Sequence, residues 1–477
     1  MQKILQSSFI YRILAAAGLW FGGQWRESRL LGRFLRPAGG GRASEGSIFA
    51  RAWAAAHRAL CFVFQKLRLT KLLEGSIFRK PHVWCFLTVT LAPLVPTMAA
   101  LALALATFGS LLLSFGCQPG KKLAFAPANR YILLYALAYV VSIFTSVTVS
   151  GSLKGGLLQT LFILFALAAQ NAVTSRRQLD AVLYAFAVSG ALVALYGVYQ
   201  YLAGVTGASA WVDSKMFQSI GTRGYSTLET PHVLSEYRLL VIPFAAAAAL
   251  AARRAIVKLF FFGCLGVSAL CMVLTFSRGG WLGLIICAAV FLVMLDRRFI
   301  LVGILGLVAL YFLLPQTILA RFTSIGDLTD SSSSYRLSIW LGTIAMLGDY
   351  WFAGIGPGTA AFNKIYPIYS YSSAAAQHSH NLFLQIMCDA GLCGLVLFAV
   401  ILFSHLRRLA SAVSREKDQI SRLYQIAAIA SVCGFLVQSA ADYTFYNYRV
   451  TLVFWATLGL GAVIARRSAL PEKEDAG

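Results

Sequence analysis

The sequence predicts an all-α polytopic membrane protein of about 12 transmembrane helices with both termini cytoplasmic. Three observations lead there. Of its 477 residues, 58% are hydrophobic and only 12% charged, against about 25% charged in a soluble globular protein. Apolar runs near the roughly 20 residues needed to cross a bilayer recur along the chain. The loops between them alternate between basic and nearly uncharged, as cytoplasmic and external loops do.

Residues 1–82 carry 14 Lys/Arg against 3 acids. Their apolar stretches, such as SSFIYRILAAAGLWFGG and ESRLLGRFLRP, are too short to span and are broken by Arg and Gly. Basic faces opposite Trp and Phe fit amphipathic helices lying on the cytoplasmic leaflet. SSFIYR, SIFAR and SIFRK hint at a weak duplication, and no secretory signal is expected, because no clean apolar core leads to a small-residue cleavage site.

A transmembrane domain is expected over 83–466, with spans near 84–98, 99–117, 130–150, 154–172, 180–203, 236–251, 256–275, 280–296, 298–314, 383–404, 423–441 and 446–466. Residues 467–477 read as a cytoplasmic tail. With the N-terminus inside, every inner loop is basic: Lys121, Lys122 and Arg130; Arg176 and Arg177; Arg253, Arg254 and Lys258; Arg297 and Arg298; Arg407 to Arg422; Arg466 and Arg467. Two outer loops are long, about 204–235 and 315–382, and long loops in compact domains are usually functional. The second contains YRLSIWLGTIAMLGDYWFAGIGPG, expected to form surface helices between spans nine and ten, after a serine linker at 331–334.

The net charge of +23 sits in the N-terminal region and inner loops, which fits anionic membrane lipid and argues against nucleic acid. The nine cysteines fall mostly inside apolar runs without CxxC spacing, so neither disulfides nor a metal are expected.

Against this pattern, a few outer charges stand out. Arg223 lies in the first long loop, Arg278 in the tight turn TFSRGGWLG, and Arg336 in SSYRLSIW. His378 and His380 open the tenth span, and Asp442 lies in the last outer turn, where it has Arg449 or another arginine as partner. Gly356 lies in GIGPG, whose consecutive N–H groups are suited to an anion. Ionisable groups at membrane depth are functional candidates. Arginine's fork matches phosphate oxygens, and histidine accepts a proton near neutral pH. Together they suit transfer from a lipid-linked diphosphate, with His380 as base and the arginines stabilising the leaving group without metal.

At these residues the sequence resembles the O-antigen ligase/polymerase superfamily. The carrying motif is His380-Asn381, nine residues to Ala390, then Gly391-Leu392-Cys393-Gly394. RLSIW, GIGPGTAAF, TFSRGGWLGL and RGYSTLETPHVLSEY also look like the family, over roughly 130–465. The resemblance implies a metal-independent, cofactor-free, inverting glycosyltransferase of the bacterial plasma membrane. Its donor would be an undecaprenyl-diphosphate-linked glycan, and its acceptor a hydroxyl on a glycan, lipid or protein. His380 would be catalytic; Arg223, Arg278 and Arg336 would bind the diphosphate; His378, Asn381, Asp442 and Gly356 would support them. One departure is Thr230-Pro231-His232, where many relatives have an Asn-Pro-Asn-like turn, which leaves the role of His232 open. The alternative is a transporter or flippase of lipid-linked glycans, for which Asp389 is the clearest acid well inside a span.

Overall fold

The computed structural model describes residues 48–125, 129–205, 222–313, 315–323 and 331–472, and helices dominate them. Residues 1–47 of the basic N-terminal region and 206–221 of the first long loop lie outside the described residues.

The chain begins with α1 (Ile48–Lys66), then α2 (Pro81–Leu91) and α3 (Thr97–Cys117). Pro93 and Pro96 separate α2 from α3 within one apolar run, because proline lacks the N–H that would continue a helix. Next come α4 (Asn129–Phe144), α5 (Val149–Ala172) and α6 (Arg176–Leu202). They are followed by α7 (Pro231–Ala251), α8 (Ala255–Leu274), α9 (Arg278–Leu295) and α10 (Phe299–Leu313). The second long loop folds as α11 (Gln316–Thr323), α12 (Ser331–Tyr350) and α13 (Thr359–Tyr369). The chain closes with α14 (Leu382–Arg415), α15 (Gln419–Ser439) and α16 (Tyr448–Ile464).

Every apolar run read from the sequence coincides with one of these helices, and eight of them are long and apolar enough to cross a membrane. The protein is therefore a multi-pass membrane protein. Its outward faces carry Leu259, Phe262, Leu282, Leu301, Val302 and Leu305 exposed, the surface expected against lipid.

Two expectations are corrected. Serines 331–334 are not a linker but the first turn of α12, where Ser suits a helix start far better than its interior. The tenth apolar helix does not stop near 404 but runs on to Arg415, because no Gly or Pro interrupts HLRRLASAVSR.

α7 lies at the centre, buried along nearly its whole length, against α6, α8 and α15. Small residues let its neighbours approach closely: a side chain at Gly434 on α15 would meet Cys287 Cβ on α9 at 2.8 Å, the small-residue packing typical of membrane helices. At the N-terminal side, α1 lies along α3. Cys61 and Phe64 are buried there, and His57 Nε2 is 2.9 Å from Phe115 O.

α6 and α15 run between the two ends of the bundle, and the charged groups gather at these ends. At one, Arg467 binds Asp180 at the start of α6 and Asp418 at the start of α15. The other holds the residues singled out from the sequence.

Candidate functional site

The second end is built from four turns. Ser277 caps α9 by accepting from Gly280 N, which sets Arg278 at the first helical position. Ser277 Oγ also lies 3.2 Å from His232 Nδ1 and accepts from Ser235 Oγ at 3.1 Å. Gln438 then donates to Ser235 Oγ at 2.7 Å. These small hydroxyls join α7, α9 and α15 just below the cations.

Arg223 reaches the same place from the first long loop. Its Nε donates to Thr275 O at 2.7 Å, and it is only 2% exposed. Its two terminal nitrogens, Nη1 and Nη2, are buried with no hydrogen-bond partner among the described residues. Burial and then the nearby cations Arg321, Arg336 and Arg278 push the guanidinium down to about 9, still cationic at neutral pH. Buried donors without acceptors are rare because each costs about 1–3 kcal/mol.

His380 sits on the turn entering α14, at φ 50°, a region that non-glycine residues adopt at a cost. The surroundings hold it there. Trp340 Nε1 donates to His380 O at 3.2 Å. Asn381 caps α14 through Phe383 N and Leu384 N, and its Nδ2 reaches Ala440 O at 2.7 Å. Gln385 accepts from Ser379 N at 2.8 Å and donates to Asp389 at 2.9 Å. Tyr139 donates to the other Asp389 oxygen at 3.3 Å. A chain of contacts thus runs from a buried acid to the backbone next to His380.

The motif spacing has a physical cause. Directly after Asp389, α14 breaks at Ala390 and Gly391, the latter at φ 65°. The GIGPG segment docks into the break: Ile355 N donates to Cys388 O at 2.6 Å, and Leu392 N to Trp351 O at 2.8 Å. A side chain at Gly391 would overlap Phe352 O. Glycine is required where the chain turns left-handed against another backbone. The stretch from His380 to Gly391 therefore measures the helix from the site to its clamp. Gly356 belongs to that clamp. Its N–H donates to Cys388 O at 3.3 Å, so it does not join the arginines as an anion-holding group.

Asp442 is the centre of the assembly. It lies 3.4 Å from Arg336 Nη2, 3.5 Å from His380 Nδ1 and 3.7 Å from His232 Nδ1. Its partner is not Arg449, which instead pairs with Glu229 at 2.8 Å. Burial alone would raise the Asp442 carboxyl, but Arg336, His380 and His232 together hold it well below the usual carboxylate range. The His378 ring lies against that of His380, with centroids 4.1 Å apart and the planes tilted by 50°. Burial, then His380, push His378 down to about 3, so it stays neutral.

Arg223, Arg278, Arg336, His378, His380, Asn381 and Asp442 are thus brought to one end, and Gly356 lies at the same end against Ser146, with its N–H already used on Cys388 O. Sequence reading missed Arg321 on α11, which is 2% exposed and among the cations acting on Arg223. It also missed Glu236 and Arg238, buried in the first turns of α7. The letters SEYR at the head of an apolar run were the available signal. His232, whose role had been left open, stands inside the cluster. Among the described residues no group of His, Cys, Asp and Glu has the arrangement of a metal site.

Such a cluster, with guanidinium groups beside a carboxylate and an imidazole, suits a polyanion. Residues 263–399 match the family model described as O-antigen ligase. The matched stretch holds Arg278, Arg336, His378, His380 and Asn381, while Arg223 and Asp442 flank it. No curated protein matches the chain.

Proposed function

We propose, from the match of residues 263–399 to the family model described as O-antigen ligase, that the protein transfers a glycan from undecaprenyl diphosphate to an acceptor hydroxyl. The reaction would take place at the external face of the bacterial inner membrane. In this reading both termini are cytoplasmic and the Arg467 end faces the cytoplasm, as its basic loops indicate.

The observation that carries the proposal is the convergence on Asp442 of Arg336 and His380, at 3.4 and 3.5 Å, beside the unpartnered fork of Arg223. The acceptor oxygen attacks the anomeric carbon and its proton passes to His380. The bond from that carbon to the diphosphate oxygen breaks, and the electron pair leaves on the diphosphate. Asp442, 3.5 Å from Nδ1, stabilises by its charge the imidazolium that forms, the role of the carboxylate in a catalytic triad. Arg223, Arg278 and Arg336, with Arg321 beside them, stabilise the leaving diphosphate where little water competes.

The test is transfer by purified protein with a lipid-linked donor. His380→Ala should abolish transfer in a protein that still folds, and full activity of that variant would remove the catalytic role. One observation favours a second reading, a flippase: α14 is broken beside the buried Asp389, and transporters use discontinuous helices near buried acids. A flippase would move intact donor across vesicles without changing its glycan, which the same assay distinguishes.

A further inference from the structure

The end of the bundle away from His380 holds a second group of polar atoms without partners. α4, α5, α14 and α16 close there around a cavity of about 20 Å³ lined in part by Asn129, Gln170, His405 and Arg408. His405 is 6% exposed and Asn129 2%. The buried atoms His405 Nε2, Asn129 Nδ2, Arg408 Nη1 and Arg466 Nε have no hydrogen-bond partner among the described residues. The position is built to admit the imidazole. A side chain at Gly461 would stand 2.5 Å from His405 Cε1 and 2.9 Å from its Nε2.

Charge decides what these donors want. No carboxylate pairs with Arg408 or Arg466 among the described residues, while the adjacent Arg467 has both Asp180 and Asp418. A water has room in the cavity, and it satisfies donors, but it leaves two cations uncompensated in a low-dielectric setting. An anionic oxygen does both. From the start of α14 at Leu382 to Arg408 is roughly 40 Å at 1.5 Å per residue, so the group lies where a bilayer's far headgroups begin. Leu134 and Leu137 on α4 and Phe403 on α14 are exposed just inside that level, offering an apolar flank to an acyl chain.

We propose that this cavity is a phosphate oxyanion site that takes the headgroup of an anionic membrane lipid. One phosphate oxygen would enter between His405 and Asn129, and the rest of the group would rest on Arg408 and Arg466 at the half-exposed mouth. The site is independent of the proposed glycan transfer and lies at the other end of α14.

The experiment uses the full chain in phosphate-free micelles. Phosphatidylglycerol, phosphatidylcholine and inorganic phosphate are titrated separately, with melting temperature and lipid retained in native mass spectrometry as readouts. Phosphatidylglycerol should raise the melting temperature and remain bound, whereas phosphatidylcholine should not. Arg408→Gln should weaken that binding roughly tenfold, the worth of one charge-assisted hydrogen bond. Arg407→Gln, an equal change of charge on the exposed face, should leave it intact. An equal shift with inorganic phosphate alone would keep the oxyanion site but assign it to a soluble anion. No shift with any phosphate, or undiminished binding in Arg408→Gln, would overturn the proposal and leave a hydrated void. Should Arg408→Gln fail to fold, Gly461→Ala keeps the charges and drives the His405 ring into the cavity. Unchanged lipid retention there would overturn the proposal equally.

Discussion

Arg467 packs against the first turn of α6, and Arg223 lies beyond its last turn; both are nearly buried. Arg467 places its fork on Asp180, at 2.9 and 2.6 Å, and reaches Asp418 at 2.9 Å. Arg223 has one backbone carbonyl as acceptor and two terminal nitrogens with no partner among the described residues. The same side chain closes one end of the bundle and is left chemically open at the other. A guanidinium held without its counter-ion costs stability, and in an enzyme that cost is matched when the substrate's anion arrives. The contrast separates a structural ion network from a binding site more sharply than burial or charge does.

The largest expected effect lies at the open end. His380→Ala should lower transfer by about 10²–10⁴-fold, the usual worth of a general base, with an unchanged melting temperature. Next, Arg223→Lys should lower kcat/KM by roughly 100-fold, because an ammonium cannot reproduce the bidentate fork. A companion variant, Arg223→Met, should raise the melting temperature of the free protein, since it removes an uncompensated buried cation. It should also abolish the stabilisation that inorganic pyrophosphate gives the wild type. If Arg223→Met instead melts lower, the two ends do not differ as described.

The closed end should answer in the opposite way. Arg467→Met should lower stability by about 2 kcal/mol, reckoned from the Asp180 pair alone. The Asp418 contact is discounted because that carboxylate is 38% exposed. Turnover should not change. Smaller still, Gln385→Ala should reduce kcat by roughly tenfold with KM preserved, because it loosens the turn beneath His380 without touching donor. Gln385→Glu, which can still accept from Ser379 N, should recover part of that loss.

Acid sharpens the comparison further. The folded Asp442 carboxyl is depressed, so its contribution is complete above the ordinary carboxylate pKa of about 4. It fades only as pH falls through the lower folded value. Asp442→Asn should therefore flatten the acid limb of a melting-temperature profile: the variant melts below the wild type above about pH 4, and the difference closes as pH falls further.

Much of this was legible in the sequence. Helix class followed from composition, and the His380-to-Gly391 spacing carried the family resemblance, but the helix break at Ala390 and Gly391 that it spans was not foreseen. Arg223, Arg278 and Arg336 were found because cations on the outer side break the positive-inside pattern. What escaped was tertiary. GIGPG looked suited to an anion because glycine runs expose N–H groups, yet here those groups hold a helix break. Asp442 was expected to pair with Arg449 or another arginine; the second holds, with Arg336, while Glu229 takes Arg449 from another turn. Arg321 could not be singled out, since its burial depends on how a short helix of a long loop folds back.

Electron cryo-microscopy of the protein with undecaprenyl diphosphate tests the central claim most directly. The diphosphate density should lie within hydrogen-bond reach of the Arg223 fork and Arg336, with His380 on the far side of the position of the anomeric carbon, where the acceptor hydroxyl would attack. Diphosphate density elsewhere, with the terminal nitrogens of Arg223 still unpartnered, would contradict the account.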